Sequence, residues 1–337
     1  MESLRSALGE TAETADGRPS TGDWGWKTAL KALVSVGLLI WLFRKVDTSE
    51  VTSGFARASW TSLLLVWGLQ TALALIQTQR WRIIADKLDI KLGFWAAWQN
   101  VYIGQFFNQV LPSSFGGDAV RIWRLNRCAV PTDAAFASVV LERIIALAAV
   151  PLIALLGFQV LLQIGSPRLL ALGLAALTGG VACGLVLLLW LDRIPWPAKL
   201  AKLRVAKLLK GLSLSARRVF LSWSCVSRSI LLSLVIHAGV GTSFWLLALS
   251  VGLPASLVQF LVLAPLIMLV TALPISLGGW GLREGATVTA LTLIGAPASA
   301  ALTIAVLFGL VMILVGLPGG VIWLLDSDRR LALKTPV

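Results

Sequence analysis

The chain is poor in nearly everything that marks soluble chemistry. Of its 337 residues only 13% are charged, three are Cys, one is Tyr and one is His. With His237 alone, a His-based metal site or a His-containing triad finds no support. His237 lies in an apolar run and reads as a polar packing group between helices. Cys128, Cys183 and Cys225 are far apart and show neither redox nor metal-ligand spacing. No metal and no cofactor is expected. Acidic residues are also scarce: 29 Lys and Arg stand against 16 Asp and Glu. The basic surplus falls between apolar runs, which argues against nucleic acid and for membrane topology and anionic headgroups.

Apolar sequence is abundant. Hydrophobic residues make up 57% of the chain, and no stretch is long and polar enough to form a soluble domain. Several apolar runs reach or approach the length that spans a bilayer. The expected fold class is an all-α polytopic membrane protein. Full spans are expected at about 28–43, 60–77, 134–163, 169–191, 229–251 and 299–325. Arg80, Arg82, Lys87 and Lys91 read as a short basic connector after the second span. Pro151 reads as a kink in the third. Residues 1–24 are polar and read as a disordered cytoplasmic tail rather than a signal peptide.

One pattern occurs twice without a gap. Residues 111–121 read LPSSFGGDAVR and residues 273–283 read LPISLGGWGLR, both L-P-x-S-x-G-G-x-x-x-R. A repeat of this kind is sought first because it decides the fold. Proline at 112 and 274 should stop a helix, and the paired glycines Gly116–Gly117 and Gly278–Gly279 allow a tight turn. A new helix then starts with N–H groups at its positive end, near Arg121 or Arg283. Such an arrangement suits an anion, and a phosphate in particular. The plain alternative is a helix breaker whose glycines serve close packing. Two copies that both carry Arg favour function, because Arg at membrane depth is costly.

Amides crowd the stretch before the first copy. Gln99, Asn100, Gln105, Asn108 and Gln109 fall within 94–111, and so many amides line a cavity or an interface rather than lipid. We read 94–128 and 257–296 as re-entrant helical hairpins.

The loop 192–228 is the most basic, with apolar residues interleaved. It reads either as an ordinary cytoplasmic loop or as an amphipathic helix on the anionic leaflet. With that loop inside, both termini fall in the cytoplasm. The halves 25–166 and 167–326 then have opposite orientation, with a tail at 327–337. The expected architecture is six transmembrane helices plus two oppositely oriented re-entrant hairpins, an inverted-topology repeat. In such repeats broken helices meet near the midplane and form the substrate site. A crossing by 257–296 would instead place the C-terminus outside.

The stretch GQFFNQVLPSSFGGDAVR, the following Leu141-Glu142-Arg143, and LPISLGGWGLREG together resemble the flippase-like membrane region of lysylphosphatidylglycerol synthases and related stand-alone membrane proteins. The resemblance runs from about 28 to 325. It implies moving or presenting an anionic or modified lipid across the cytoplasmic (cell) membrane. Onto this chain it carries Asn108, Pro112, Gly116, Gly117, Asp118, Arg121, Glu142, Arg143, Pro274, Gly278, Gly279 and Glu284. Trp280 is bulkier than the residue usual there, which bears on the size of that half-site. No aminoacyl-transferase segment is present, so no synthase activity is implied.

Three functions follow for weighing. The first is a non-enzymatic lipid translocase working by alternating access, with a phospholipid or polyprenyl-phosphate-linked lipid as substrate. Its binding set would be Asn108, Gly116, Gly117, Asp118, Arg121, Glu142, Arg143, Ser276, Gly278, Gly279, Arg283 and Glu284. Asp118, Glu142 and Glu284 would balance the arginines. The second is a membrane enzyme acting on a lipid phosphate, for which base, metal cluster and nucleophile motif are all lacking. The third is a non-transporting partner that presents lipid to a glycosyltransferase or a lipid-modifying enzyme.

Overall fold

The computed structural model describes residues 48–111, 115–163, 167–194, 204–273, 276 and 278–326, with isolated helical positions between 33 and 44. Most of the expected first span, the two terminal tails, residues 195–203 of the basic loop, and Pro112 and Pro274 lie outside the described residues.

Among the described residues the chain is helical throughout. In order, the helices are α1 Thr48–Arg57, α2 Trp60–Lys87, α3 Phe94–Val110, α4 Gly116–Asn126, α5 Thr132–Leu156 and α6 Phe158–Leu162. They continue with α7 Pro167–Trp190, α8 Arg204–Phe220, α9 Trp223–Ser250, α10 Leu257–Thr271, α11 Leu282–Thr292 and α12 Ala298–Leu325. Five of them, α2, α5, α7, α9 and α12, are long and apolar enough to cross a membrane.

Local sequence explains the breaks. Leu111 ends α3 in an extended conformation, as the residue before a proline must. Gly157 separates α5 from α6, so the run expected at 134–163 is two helices. Ser256 starts α10 through a capping box with Gln259. Pro151 sits inside α5.

One expected boundary is wrong in an informative way. The second span does not end near residue 77; α2 runs on to Lys87. Arg80 is therefore a helical residue, 5% exposed, and not part of a basic connector. Its charge is met inside the protein, so hydropathy alone misread it as surface.

The element order repeats. A 28-residue helix (α2, α9), a shorter apolar helix (α3, α10), an 11-residue helix (α4, α11) and a long helix (α5, α12) follow one another twice. The short helices α1 and α8 precede each set. Gly54 of α1 packs on Thr303 near the start of α12, and Gly211 of α8 packs on Asp133 at the start of α5.

Helices α2 and α9 lie side by side and antiparallel. Gln70 Nε2 donates to Ser243 Oγ, and Arg80 Nη1 donates to Ser233 Oγ, both at 2.9 Å. The shift that carries Trp60 onto Trp223 carries Gln70 onto Ser233 and Arg80 onto Ser243. Each bond is thus the image of the other.

Two buried cores lie at opposite ends. One gathers Trp81, Ile84, Leu125, Leu141 and Ile145. The other gathers Phe244, Phe260, Ile304 and Phe308. Between them α3 packs on α12, where Gly319 allows the Tyr102 carbonyl to approach closely and Gly316 faces the backbone of Phe106.

Candidate functional site

The first motif delivers its charges into a network deep in the protein. Arg121, 2% exposed, gives Nη2 to Glu142 Oε2 at 2.7 Å and Nη1 to Asp118 Oδ1 at 3.4 Å. Its guanidinium lies over the Trp81 ring, 4.4 Å from the centroid. The other oxygen of Glu142 accepts Arg80 Nη2 at 3.1 Å. The other oxygen of Asp118 accepts Arg143 Nε at 3.0 Å. Three guanidinium groups therefore share two carboxylates, and one positive charge is left over. Burial of unpaired charge would cost several kcal/mol per ion, so pairing of this quality is a condition of folding (roughly 3–5 kcal/mol if one partner is removed).

The five side chains differ in access. Arg80, Arg121 and Glu142 are sealed, but the Arg143 side chain is 44% exposed. Glu142 and Arg143, although adjacent, do not pair with each other. They leave α5 in different directions, one into the core and one toward the surface of the protein. The surplus charge is presented by Arg143 and not by Arg121.

The backbone positions this network through close approaches. Gly104 of α3 leaves room for the Arg121 side chain, and Gly117 lets α4 press on the Gly104 carbonyl. Asn108 Oδ1 accepts the Gly117 N–H at 2.8 Å, so one N–H of the new helix start is met within the protein. Asn100 donates to the Arg121 carbonyl at 3.4 Å. Gly116 faces Leu111 across the break.

The second motif folds differently. Gly278, Gly279 and Gly281 all take positive φ, and α11 starts only at Leu282. Arg283 therefore sits in the first turn of its helix. It pairs with its neighbour Glu284 through Nη2 at 2.6 Å and Nε at 3.0 Å. The other Glu284 oxygen accepts the Gly281 N–H at 2.6 Å. Arg283 lies over Trp280, 4.5 Å from the ring centroid, and Gly309 of α12 leaves the space that both occupy. Ser276 is fully buried.

The two motifs meet. Gly278 lies against the last turn of α3, where a Cβ would be 3.4 Å from the Asn108 carbonyl oxygen and 3.6 Å from that of Gln109. Of the residues singled out in sequence, Asn108, Gly116, Gly117, Asp118, Arg121, Glu142 and Arg143 form one contact network. Gly278, Gly279, Arg283 and Glu284 form the second, joined to the first through Gly278, and Ser276 is buried without a hydrogen-bond partner. Sequence reasoning missed Arg80, Trp81, Ser233 and Gly309. A count of helical turns beyond residue 77 would have found Arg80.

Two further features frame the site. At one end of α12, Arg124 is fully buried and pairs with Asp326 at 2.7 Å. Trp323 there meets both Phe107 and Trp123. At the other end, a cavity of about 930 Å³ is lined by Glu50, Arg57, Trp245, Gln259, Ser299 and Thr303 among others. Helix α12 is about 42 Å long at 1.5 Å per residue, so these features lie near opposite faces of a bilayer. His237 reaches the Ala146 carbonyl at 3.1 Å and joins α9 to α5. Among the described residues no group of three His, Cys, Asp or Glu side chains could hold a metal ion.

A family model for the transmembrane region of lysylphosphatidylglycerol synthase matches residues 28–320. The chain belongs to that family. The match covers nearly every helix described above and identifies an integral, multi-pass membrane protein; the family is the non-catalytic membrane part of the synthases. The chain is also similar to a protein named UPF0104 membrane protein from Archaeoglobus fulgidus, 26% identical over 113 residues. That match spans 34% of this chain and 34% of the relative.

Proposed function

We propose that this protein translocates a lipid with an anionic headgroup across the cytoplasmic membrane by alternating access, without enzymatic chemistry. The observation that carries the reading is the surplus guanidinium. Three arginines on two carboxylates leave Arg143 half exposed against Asp118 of the first motif. A phosphate crossing the apolar slab must replace its lost water with donors, and Arg143 supplies them with Asp118 holding its Nε. Arg121 and Arg80 serve as positioning residues that keep the carboxylates in place.

Several features support alternating access. The antiparallel packing of α2 on α9, with one hydrogen bond the image of the other, fits two halves inverted in the membrane. The Arg124–Asp326 pair with the Trp123, Trp323 and Phe107 cluster fits a closed side. The large cavity at the start of α12 fits an open one. Orientation follows from charge. Among its described side chains α8 carries Lys207, Lys210, Arg217 and Arg218 with no acid, whereas α1 carries Glu50 and Arg57. This supports a cytoplasmic side for α8 and agrees with the expected cytoplasmic termini.

The test is headgroup exposure in vesicles reconstituted with the purified protein. Arg143→Gln should reduce translocation of an anionic phospholipid at least about tenfold, the worth of one charge-assisted hydrogen bond, and leave the fold intact. Unchanged exchange in Arg143→Gln would refute the reading.

A further inference from the structure

The cavity at the start of α12 gathers donors that nothing in the protein meets. Its wall includes Glu50 and Arg57 of α1, Ser256 and Gln259 at the start of α10, and Ser299 and Ala300 in the first turn of α12. The two helix starts differ. At α10, Ser256 Oγ accepts the Val258 N–H and Gln259 Oε1 accepts the Ser256 N–H, so that start is capped from within. Helix α12 follows Pro297, which has no side-chain acceptor, and its first N–H groups have no cap. Ser299 stands in that turn, 7% exposed, and its Oγ has no hydrogen-bond partner. Thr303, one turn further on, gives its hydroxyl hydrogen to the Ser299 carbonyl at 2.8 Å and so does not serve the Ser299 hydroxyl.

The crossing of α1 over α12 brings a cation to this turn. A Cβ on Gly54 would lie 2.9 Å from Thr303 Oγ1, so the two helices touch there. Arg57 is one turn from Gly54 on α1, and Ser299 is one turn from Thr303 on α12. Both line the one cavity. Arg57 gives Nε to the Ser53 carbonyl at 3.3 Å and Nη2 to Ser53 Oγ at 3.1 Å, and it pairs with no carboxylate among the described residues. Glu50 lies one turn to the other side of Gly54, so acid and base stand about 10 Å apart along α1 at 1.5 Å per residue. Uncapped N–H groups at the positive end of a 28-residue helix, a buried hydroxyl and a guanidinium without a carboxylate suit an oxyanion. So many donors fit the several oxygens of a phosphate better than the two of a carboxylate. At about 930 Å³ the cavity has room for a headgroup around that phosphate, and Arg143 is not in its wall. We propose that this cavity is a second anion site, binding a phosphate group through Arg57, Ser299 Oγ and the first-turn N–H groups of α12. The phosphate is a free ion or part of a lipid headgroup. The second source rests on the proposed function, and the first does not.

The experiment is a melting series on the purified full-length protein in detergent. One arm titrates sodium phosphate against sodium chloride at fixed ionic strength and pH. The other compares phosphatidylglycerol with diacylglycerol, which has no phosphate. Wild type should show a saturable rise in melting point with phosphate if the ligand is the free ion, and with phosphatidylglycerol if it is a headgroup. Phosphate also stabilises proteins by exclusion from their surface, and an Arg57→Gln, Ser299→Ala double variant measures that background. In this variant the saturable rise should vanish, with apparent affinity down at least about tenfold. It changes one exposed side chain and removes one unmet hydroxyl, so it should fold. Glu50→Gln, which removes the nearby negative charge, should tighten binding. Ser299→Asp should raise the melting point without phosphate and abolish the response, because its carboxylate takes the place of the anion at the helix start. No saturable rise in either arm for wild type, or the same rise in the double variant, overturns the proposal. An Arg143→Gln protein should keep the rise. A rise with phosphatidylglycerol that is lost in Arg143→Gln and kept in the double variant removes the second site and leaves the proposed function standing.

Discussion

The two halves carry different chemistry on matching positions. The shift that carries α2 onto α9 places Ser243 where the first half has Arg80, and Phe244 where it has Trp81. Counting from the starts of α5 and α12, Phe308 stands where the first half has Glu142, and Gly309 where it has Arg143. In the second half Phe244 stacks on Phe308 with centroids 4.4 Å apart. In the first half the same two positions hold a cation–π platform and the carboxylate that joins two arginines. Gly309 gives its space to Arg283, which among the described residues pairs with Glu284 alone. The apolar half shows that the packing needs no charge there. The charged half spends desolvation energy on a network that an apolar core would replace at equal or better stability. A local rule broken at these positions in one half only makes that half the place to look for a site.

The comparison is broken most severely at Glu142. Glu142→Gln strands Arg80 and Arg121 together, and the expected loss is about 3–5 kcal/mol or failure to fold. Glu284→Gln strands one arginine and one N–H, and should be milder. Melting both variants in detergent gives the order, and a Glu142→Gln protein as stable as wild type would remove the network from the account of folding.

Function separates the halves differently. Arg143→Gln should lower lipid exchange at least about tenfold while the melting point stays near wild type, because its side chain is half exposed and holds only Asp118. Arg283→Gln should do the reverse in kind and lose stability, since it strands a buried Glu284. Equal effects of the two on exchange would make the site symmetric and contradict the assignment of the surplus charge to the first half.

Much of this was legible beforehand, for identifiable reasons. The doubled motif is local and gapless, so Pro112, Gly116 and Gly117 announced a break, and the helices begin and end beside it. Glu142 and Arg143 could be named, but not their partners. Glu142 reaches back to Arg80 across 62 residues, a separation that no local pattern reports. Arg80 itself looked like a loop residue because hydropathy cannot tell a paired buried charge from a solvated one. The two motifs were read as equivalent, yet α4 starts at Gly116 while α11 starts four positions later along the pattern. Gly281 and Trp280 explain the delay: a third glycine extends the turn, whereas Asp118 sits favourably in the first turn of α4.

The finest test lies on the axis between α2 and α9, where the two image bonds differ in their donor. Ser233 accepts from a guanidinium, and Ser243 accepts from a neutral amide, at the same 2.9 Å. Ser233→Ala should cost about 1.5–3 kcal/mol, the worth of a bond to a charged group, and Ser243→Ala about 0.5–1.5 kcal/mol. The order carries more weight than the values, because both serines lie on α9, one in each of the two image bonds, and lose the same hydroxyl. Any difference therefore reports the charge of the donor. If the two alanine variants melt together, the charge of Arg80 adds nothing to its bond with Ser233, and Glu142 alone meets that charge. The charged network then ends at α5, without reaching the helix that begins the other half's core.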